Sequence, residues 1–273
     1  MILEKKVQLE RMTWVQVKDA VKESNGVAVF AVGATEQHGP HNPLCCDAMA
    51  AHEATLRAAR KARVVMAPTI PIGNCLGSMG FPGTLYLKPD TLKAVVKDIC
   101  RSLIHHGFDK IVIVNGHGGN YDCCIDAAEE IKYETGAQMY HCKVMEMEGP
   151  PIPSDWPLYD AHGGTLETSL MLYLCPDDVD RTKFVDSKPV ANLTKYAGPW
   201  LPWFATLPPP KPISAILAAD ECSEYGHGGD PSKASKEWGE KAIEMWSDQL
   251  GQFLKALKED KIKYLKKSTY RIT

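Results

Sequence analysis

Short apolar runs and amphipathic stretches alternate along most of the chain. Val27 to Val32 is an unbroken apolar run that predicts a buried strand. Ala48 to Ala62, rich in Ala with Leu and Arg, predicts a helix, and Val64 to Ile70 a second strand ended by Pro71. Asp90 to His106 predicts a helix with Asp90 as its N-cap. The β-branched run Ile111 to Val114 predicts a third strand and leads directly into Asn-Gly-His-Gly-Gly-Asn. Tyr121 to Glu134 follows as a helix and Gln138 to Met145 as a strand. Met147 to Tyr159 is Pro-rich and predicts loop, and Thr165 to Leu174 a helix entered through Gly163-Gly164. The many prolines between Pro189 and Pro212, with Trp200 and Trp203, predict an irregular segment over the surface. Ile213 to Ala219 reads as a late strand and Ser232 to Lys258 as a long final helix.

Strands alternating with helices of this length imply crossover units and a mostly parallel sheet covered on both faces. The expectation is a three-layer α/β/α fold, with residues 1–273 forming a single domain.

Composition narrows the class without naming a function. Apolar residues make up 44% and charged residues 24%, and the formal net charge is -3, which predicts neither a nucleic-acid nor a membrane partner. Nine cysteines form two adjacent pairs, Cys45-Cys46 and Cys123-Cys124, plus five singles, with no Cys-x-x-Cys. Such spacing builds no disulfide framework and predicts reduced thiols in a cytoplasmic protein. Residues 1–10 lack the apolar core of a signal peptide, and no apolar run reaches membrane-spanning length.

Candidate chemistry collects where strands hand over to loops or helices, the place where open α/β sheets bind ligands. Gly33-Ala34-Thr35-Glu36-Gln37-His38-Gly39-Pro40 follows the first strand, with Asp47 nine residues beyond His38. Asn115-Gly116-His117-Gly118-Gly119-Asn120 follows the third, and Asp160 to Ser169, containing His162-Gly163-Gly164 and Glu167, opens a helix. Glu36 and His38 share one side of an extended segment because strand geometry repeats every two residues. Carboxylates and imidazoles without thiolates suit Zn, Mn or Fe(II) in a catalytic setting. The candidate ligands are Glu36, His38, Asp47, His117 and Glu167, with Asp47 shared by two ions held about 3.5–4 Å apart. Ser78, Gly118, Gly119, Tyr159 and Gly163 are the candidate substrate contacts. Taken singly, Glu-x-His is more often a solvated loop, His117 a turn residue, and Glu167 the acid of a helix's first turn. Three clusters at strand ends together favour metal.

The chain resembles the creatininase, or creatinine amidohydrolase, family. The resemblance rests on Gly33 to Pro40 with Asp47, Phe81-Pro82-Gly83-Thr84, Asn115 to Asn120, His162-Gly163-Gly164 with Glu167-Thr168-Ser169, and Gly229-Asp230-Pro231. It implies a creatininase-like α/β/α fold, a two-metal centre and a homo-oligomer, commonly a hexamer. It also implies that Glu36, Asp47 and His117 hold one ion, and that His38, Asp47 and a further carboxylate hold the other. Creatininase proper carries a glutamate at the position of Gly119, a tryptophan near Pro157-Leu158-Tyr159-Asp160 and a histidine near Ser78-Met79-Gly80. These departures make Glu167 the replacement carboxylate and argue against creatinine itself as substrate.

The expected reaction is attack of metal-activated water on a small, polar, cyclic carbonyl compound, cleaving a C–N bond, with His162 protonating the leaving group. His162 could instead orient a metal-bound carboxylate. One alternative is ring C–C hydrolysis, as in the 3-dehydro-scyllo-inosose hydrolase branch of inositol catabolism. Another is a metal-binding subunit without catalysis. A thiol hydrolase is a third, since Gly73-Asn74-Cys75-Leu76-Gly77 matches a nucleophile elbow with Cys for Ser. Pro71 and the Gly- and Pro-rich stretch from Ser78 to Gly83 oppose the strand–turn–helix that an elbow needs, so Cys75 reads as a small apolar residue beside the site.

Overall fold

The computed structural model describes residues 1–157, 160–188, 198–199, 214–215, 218–265 and 268–272. Strands β1 (Val27–Val32), β2 (Val65–Met66), β3 (Lys110–Asn115) and β4 (Gln138–Lys143) form a wholly parallel sheet in the order β2-β1-β3-β4. Every residue of β1 and β3 is buried. Layers on both faces explain why these strands read as unbroken apolar runs and not as alternating ones.

The helices are α1 (Trp14–Glu23), α2 (Cys46–Ala62), α3 (Pro89–His105), α4 (Tyr121–Thr135), α5 (Thr165–Leu174), α6 (Ala219–Cys222) and α7 (Lys236–Lys258). From β1 the chain crosses through α2 to β2 on one side. It then returns through α3 to β3 and α4 to β4 on the other. Right-handed crossovers in opposite directions place α2 on one face of the sheet and α3 with α4 on the other. Helix α7 packs on α2 and α5, and α3 packs on α4. The reversal makes the carboxyl ends of β1 and β3 a topological switch point, where a crevice opens between diverging connections.

Several boundaries differ from the sequence reading for local reasons. Helix α2 begins at Cys46, so Asp47 lies in its first turn instead of before it. Lys88, not Asp90, caps α3, because Pro89 brings the φ angle of a first helical residue and leaves Asp90 in the first turn. The second strand keeps only Val65 and Met66, with a separate bridge between Val32 and Ile70, since Pro68 has no N–H for the ladder. Strand β4 ends at Lys143 in a 3-10 turn, and α7 starts at Lys236, where the Ser235 side chain accepts the Trp238 N–H. Ser214–Ala215 pairs in parallel with Gly198–Pro199, while Ala219 opens a helix and not a strand end. The rest of the 189–212 segment, with Trp200 and Trp203, lies outside the described residues. Trp156 is buried and packs on Trp238 at 5.0 Å between ring centres. Helix α1 went unread, although Thr13 and Gln16 form a reciprocal capping box at its start.

Helices α7 and α5 approach so closely at Gly239 that a Cβ there would lie 2.1 Å from the Ser169 carbonyl oxygen. Helix propensity favours Ala over Gly by about 1 kcal/mol, but overpacking against a fixed backbone costs about 1–3 kcal/mol. Gly239→Ala is therefore expected to lower the melting temperature by a few degrees in a thermal scan. A rise would mean the helices separate freely.

Candidate metal centre

The crevice at the switch point gathers side chains from four places. Glu36 and His38 come from the loop after β1, Asp47 from the first turn of α2, His117 from the loop after β3, and Glu167 from the first turn of α5. Glu36, His38, Asp47 and His117 are all buried, and Glu167 is slightly open. All five predicted ligands converge.

Asp47 stands between the two imidazoles. Its Oδ1 lies 3.2 Å from His38 Nε2 and its Oδ2 2.9 Å from His117 Nδ1. Glu36 Oε2 is 3.0 Å from the same His117 nitrogen, and Glu167 Oε2 is 3.6 Å from His38 Nε2. Each imidazole is oriented from behind by a backbone carbonyl. His38 Nδ1 donates to the Glu36 carbonyl at 3.0 Å, and His117 Nε2 donates to the Asn74 carbonyl at 3.1 Å. Both rings thus aim a lone pair at the carboxylates, the arrangement expected of metal-ligating histidines.

Lone pairs facing carboxylates repel unless a positive charge lies between them. Burial disfavours charge on both rings. On His38 the neighbouring Cys46, Asp47 and Glu167 outweigh it, and on His117 Glu36 and Asp47 do, so both pKa values stand well above the ordinary histidine value. Burial raises the Asp47 carboxyl, yet the two imidazoles overcome that and hold it well below the usual range. Burial pushes Glu167 up to about 7. Two buried oxygens, Glu36 Oε2 and Asp47 Oδ2, share one His117 nitrogen and have no other hydrogen-bond partner. Such carboxylate oxygens and inward lone pairs fit a divalent cation.

The surrounding residues hold this set. Ser78 donates to Glu36 Oε1 at 2.6 Å. Gly163 likewise donates its N–H to Glu167 Oε2 at 2.5 Å. Asp160 accepts the N–H groups of Thr165 and Leu166 and so caps α5, which frees Glu167 from that duty. Gly118 is exposed at the rim, and Gly119 accepts from Asn74 Nδ2 through its carbonyl at 3.0 Å. Tyr159 lies outside the described residues. His162 is buried against His38 with ring centres 4.1 Å apart, and its Nε2 donates to the Gln37 carbonyl at 2.6 Å. Burial, then the neighbouring His38, pull its pKa down to about 3, so the ring is neutral.

Sequence reasoning placed Asn120 in the second cluster and Asn74 beside Cys75 but gave neither a role, nor one to His41 or Cys46. Asn120 ties the loops together by accepting from Asn74 N–H and donating to the Gly33 carbonyl. His41 Nε2 lies 3.0 Å from both the Gly163 carbonyl and the Thr168 hydroxyl. The only available signal was proximity to the clusters. Cys75 caps a three-residue 3-10 turn, Leu76–Ser78, so the strand–turn–helix of a nucleophile elbow is absent at this point.

A parallel sheet between helices, with buried carboxylates and imidazoles at its switch point, defines a metal-dependent hydrolase of the α/β class. Residues 10–254 match the family model described as Creatininase: Creatinine amidohydrolase. The chain belongs to the creatininase family. Among curated relatives, the creatinine amidohydrolase of Pseudomonas putida is 32% identical over 206 residues, covering 68% of this chain and 79% of that protein. The mycofactocin precursor peptide peptidase of Mycolicibacterium smegmatis is 32% identical over 223 residues, covering 79% and 78%. The 3-dehydro-scyllo-inosose hydrolase of Thermotoga maritima is 26% identical over 195 residues, covering 67% and 61%. A mutant creatininase complexed with creatine superimposes with a TM-score of 0.75 at 26% identity, covering 94% of this chain and 99% of that one. A Zn-Zn form of a mutant creatininase reaches 0.73 at 26% identity, covering 94% and 98%, and a Mn form 0.71 at 27%, covering 94% and 99%. Among the described residues, no helix is long and apolar enough to cross a membrane.

Gly119 has no room for a side chain. A Cβ there would lie 2.2 Å from the Asn74 carbonyl oxygen and 2.7 Å from His117 Nε2, the two atoms of the bond that orients His117. Gly119→Ala is expected to weaken metal binding by about 10–100-fold, the usual cost of losing an orienting partner. Competition titration against a chelator measures this, and unchanged affinity would remove the bond from the metal site's design.

Proposed function

We propose that this chain is an amidohydrolase-type enzyme that uses two divalent ions to open or cleave the C–N bond of a small, polar, cyclic carbonyl substrate. In this reading Glu36, Asp47 and His117 hold one ion, and His38, Asp47 and Glu167 hold the other. The observation that carries it is the Asp47 carboxylate, whose two oxygens each face a different inward-aimed imidazole at 3.2 and 2.9 Å. A carboxylate so placed is suited to bridging. When bound, such ions polarise a carbonyl and lower the pKa of a water molecule. Zn, Mn and Fe(II) all accept this donor set. The Zn-Zn and Mn forms of structurally similar creatininases support the first two.

The chain's own residues supply orientation and proton transfer. Ser78 and Gly163 fix the carboxylates of Glu36 and Glu167, and the Glu36 and Asn74 carbonyls fix the rings. His162 is neutral, with its own proton at Nε2 held against the Gln37 carbonyl, and is the candidate shuttle that takes a proton from the attacking water and passes it to the leaving group. The names of two of the relatives at 32% identity, an amidohydrolase and a peptidase, denote amide hydrolysis and support the C–N reading. Likeness to the 3-dehydro-scyllo-inosose hydrolase supports a second reading, ring C–C hydrolysis. Assays on lactams, formamides, short peptides and cyclic ketones separate the two.

Elemental analysis is expected to find about two ions per chain. Asp47→Asn is expected to lose both ions and at least about 100-fold in activity, more than removal of an orienting partner costs. Glu167→Gln should lose one ion and keep the other. A wild-type protein that saturates with a single ion sinks the dinuclear reading.

His162→Asn is expected to keep its metal while kcat falls by roughly 100- to 10,000-fold, the worth of a positioned proton donor. Loss of metal with little change in turnover per loaded site would instead assign His162 to positioning.

A further inference from the structure

Two thiols stand among the proposed ligands, one beside each imidazole. Sγ of Cys75, a carboxylate oxygen of Glu36 and a ring nitrogen of His117 all lie within 4.8 Å of one another. So do Sγ of Cys46, a ring nitrogen of His38 and a carboxylate oxygen of Glu167. Both cysteines are buried. Atoms that share one ion at roughly 2.0–2.3 Å lie at most about 4.6 Å apart, so both groups have nearly the compass of a coordination sphere before any ion draws them in. Glu36 Oε2 is the carboxylate oxygen that faces His117, beside Cys75.

A buried free cysteine is ordinarily a small apolar filler packed on other apolar groups. Cys100 and Cys124 fit that description, lying fully buried within the hydrophobic core. Cys46 and Cys75 also face ionisable groups. Their position follows from the chain. Cys46 occupies the first turn of α2 directly before Asp47, and Cys75 caps the 3-10 turn that delivers Ser78 to Glu36.

We infer that Cys75 and Cys46 are thiolate ligands of the metal centre, Cys75 joining Glu36, Asp47 and His117, and Cys46 joining His38, Asp47 and Glu167. The inference rests on the two-ion reading above. Each thiol releases its proton to solvent on ligation. A mixed oxygen, nitrogen and sulfur donor set favours Zn2+ and Co2+ over Mn2+, because soft thiolates select the more thiophilic ions and Mn2+ prefers oxygen. Four protein donors per ion still admit a fifth ligand, an expansion zinc accepts during catalysis.

Cobalt spectroscopy of the full chain tests this without any activity measurement. Metal-stripped protein is loaded with Co2+ and its absorption recorded. Visible d–d bands report that the ion has entered the centre, and a near-ultraviolet sulfur-to-cobalt charge-transfer band reports thiolate ligation. Both are expected. Cys46→Ser and Cys75→Ser should each remove roughly half of the charge-transfer intensity, as one thiolate per ion requires. Cys142→Ser, on β4, should leave the band unchanged. Visible bands without charge transfer in the wild type overturn the thiolate assignment and leave the metal reading standing. No uptake of Co2+ overturns both. In competition, the double Cys46→Ser, Cys75→Ser variant is expected to lose about tenfold or more of the wild-type preference for Zn2+ over Mn2+. An unchanged preference overturns the selectivity.

Discussion

Three carboxylates and two imidazoles buried at one point form an arrangement that water cannot neutralise. Asp47 takes one imidazole on each oxygen, Glu36 adds a second carboxylate to His117, and Glu167 adds one to His38. Buried charge of one sign is expensive unless paired, and the pairing must come from protons on the rings or from cations between them. Because the ring nitrogens that face inward are the same ones a metal would use, protons and cations compete for one set of lone pairs. The pKa values of His38 and His117 are raised because the carboxylates around them favour positive charge. Divalent cations meet that demand at neutral pH.

Everything else near the centre serves to hold those lone pairs inward. The carbonyls of Glu36 and Asn74 fix the ring tautomers, and Ser78 and Gly163 fix the outer carboxylates. These partners sit on loops, but the loops are cross-tied through Asn120 and rooted in the two fully buried strands. The sheet provides the rigidity and the loops provide the chemistry. Reversal of the crossover direction between β1 and β3 opens the crevice in which both can meet.

The alternation of apolar runs with helical stretches carried the architecture, since buried parallel strands and amphipathic helices leave different periodicities. Errors fell at boundaries, where a single proline or capping residue outweighs periodicity, as Pro89 does in α3 and Pro68 after β2. The five proposed ligands were legible because glycine-flanked histidines and acids at strand ends are unusual by type and place. Their supports were not, since Asn74 and His41 are ordinary loop residues whose partners lie far away in sequence. Cys46 was read only as one of an adjacent pair of reduced thiols.

By itself the sequence determined the layered α/β class, the order of its elements and the donor types that bear the chemistry, because each follows from local periodicity or residue identity. Tertiary structure alone decided that Asp47 lies between two imidazoles, that Ser78 and Gly163 face carboxylates, and that two thiols stand among the proposed ligands. Those relations join residues from four to about 130 positions apart, as Gly163 with Glu167 and His38 with Glu167 show. They depend on how the crossovers bring loop ends together, which no local pattern of side chains encodes.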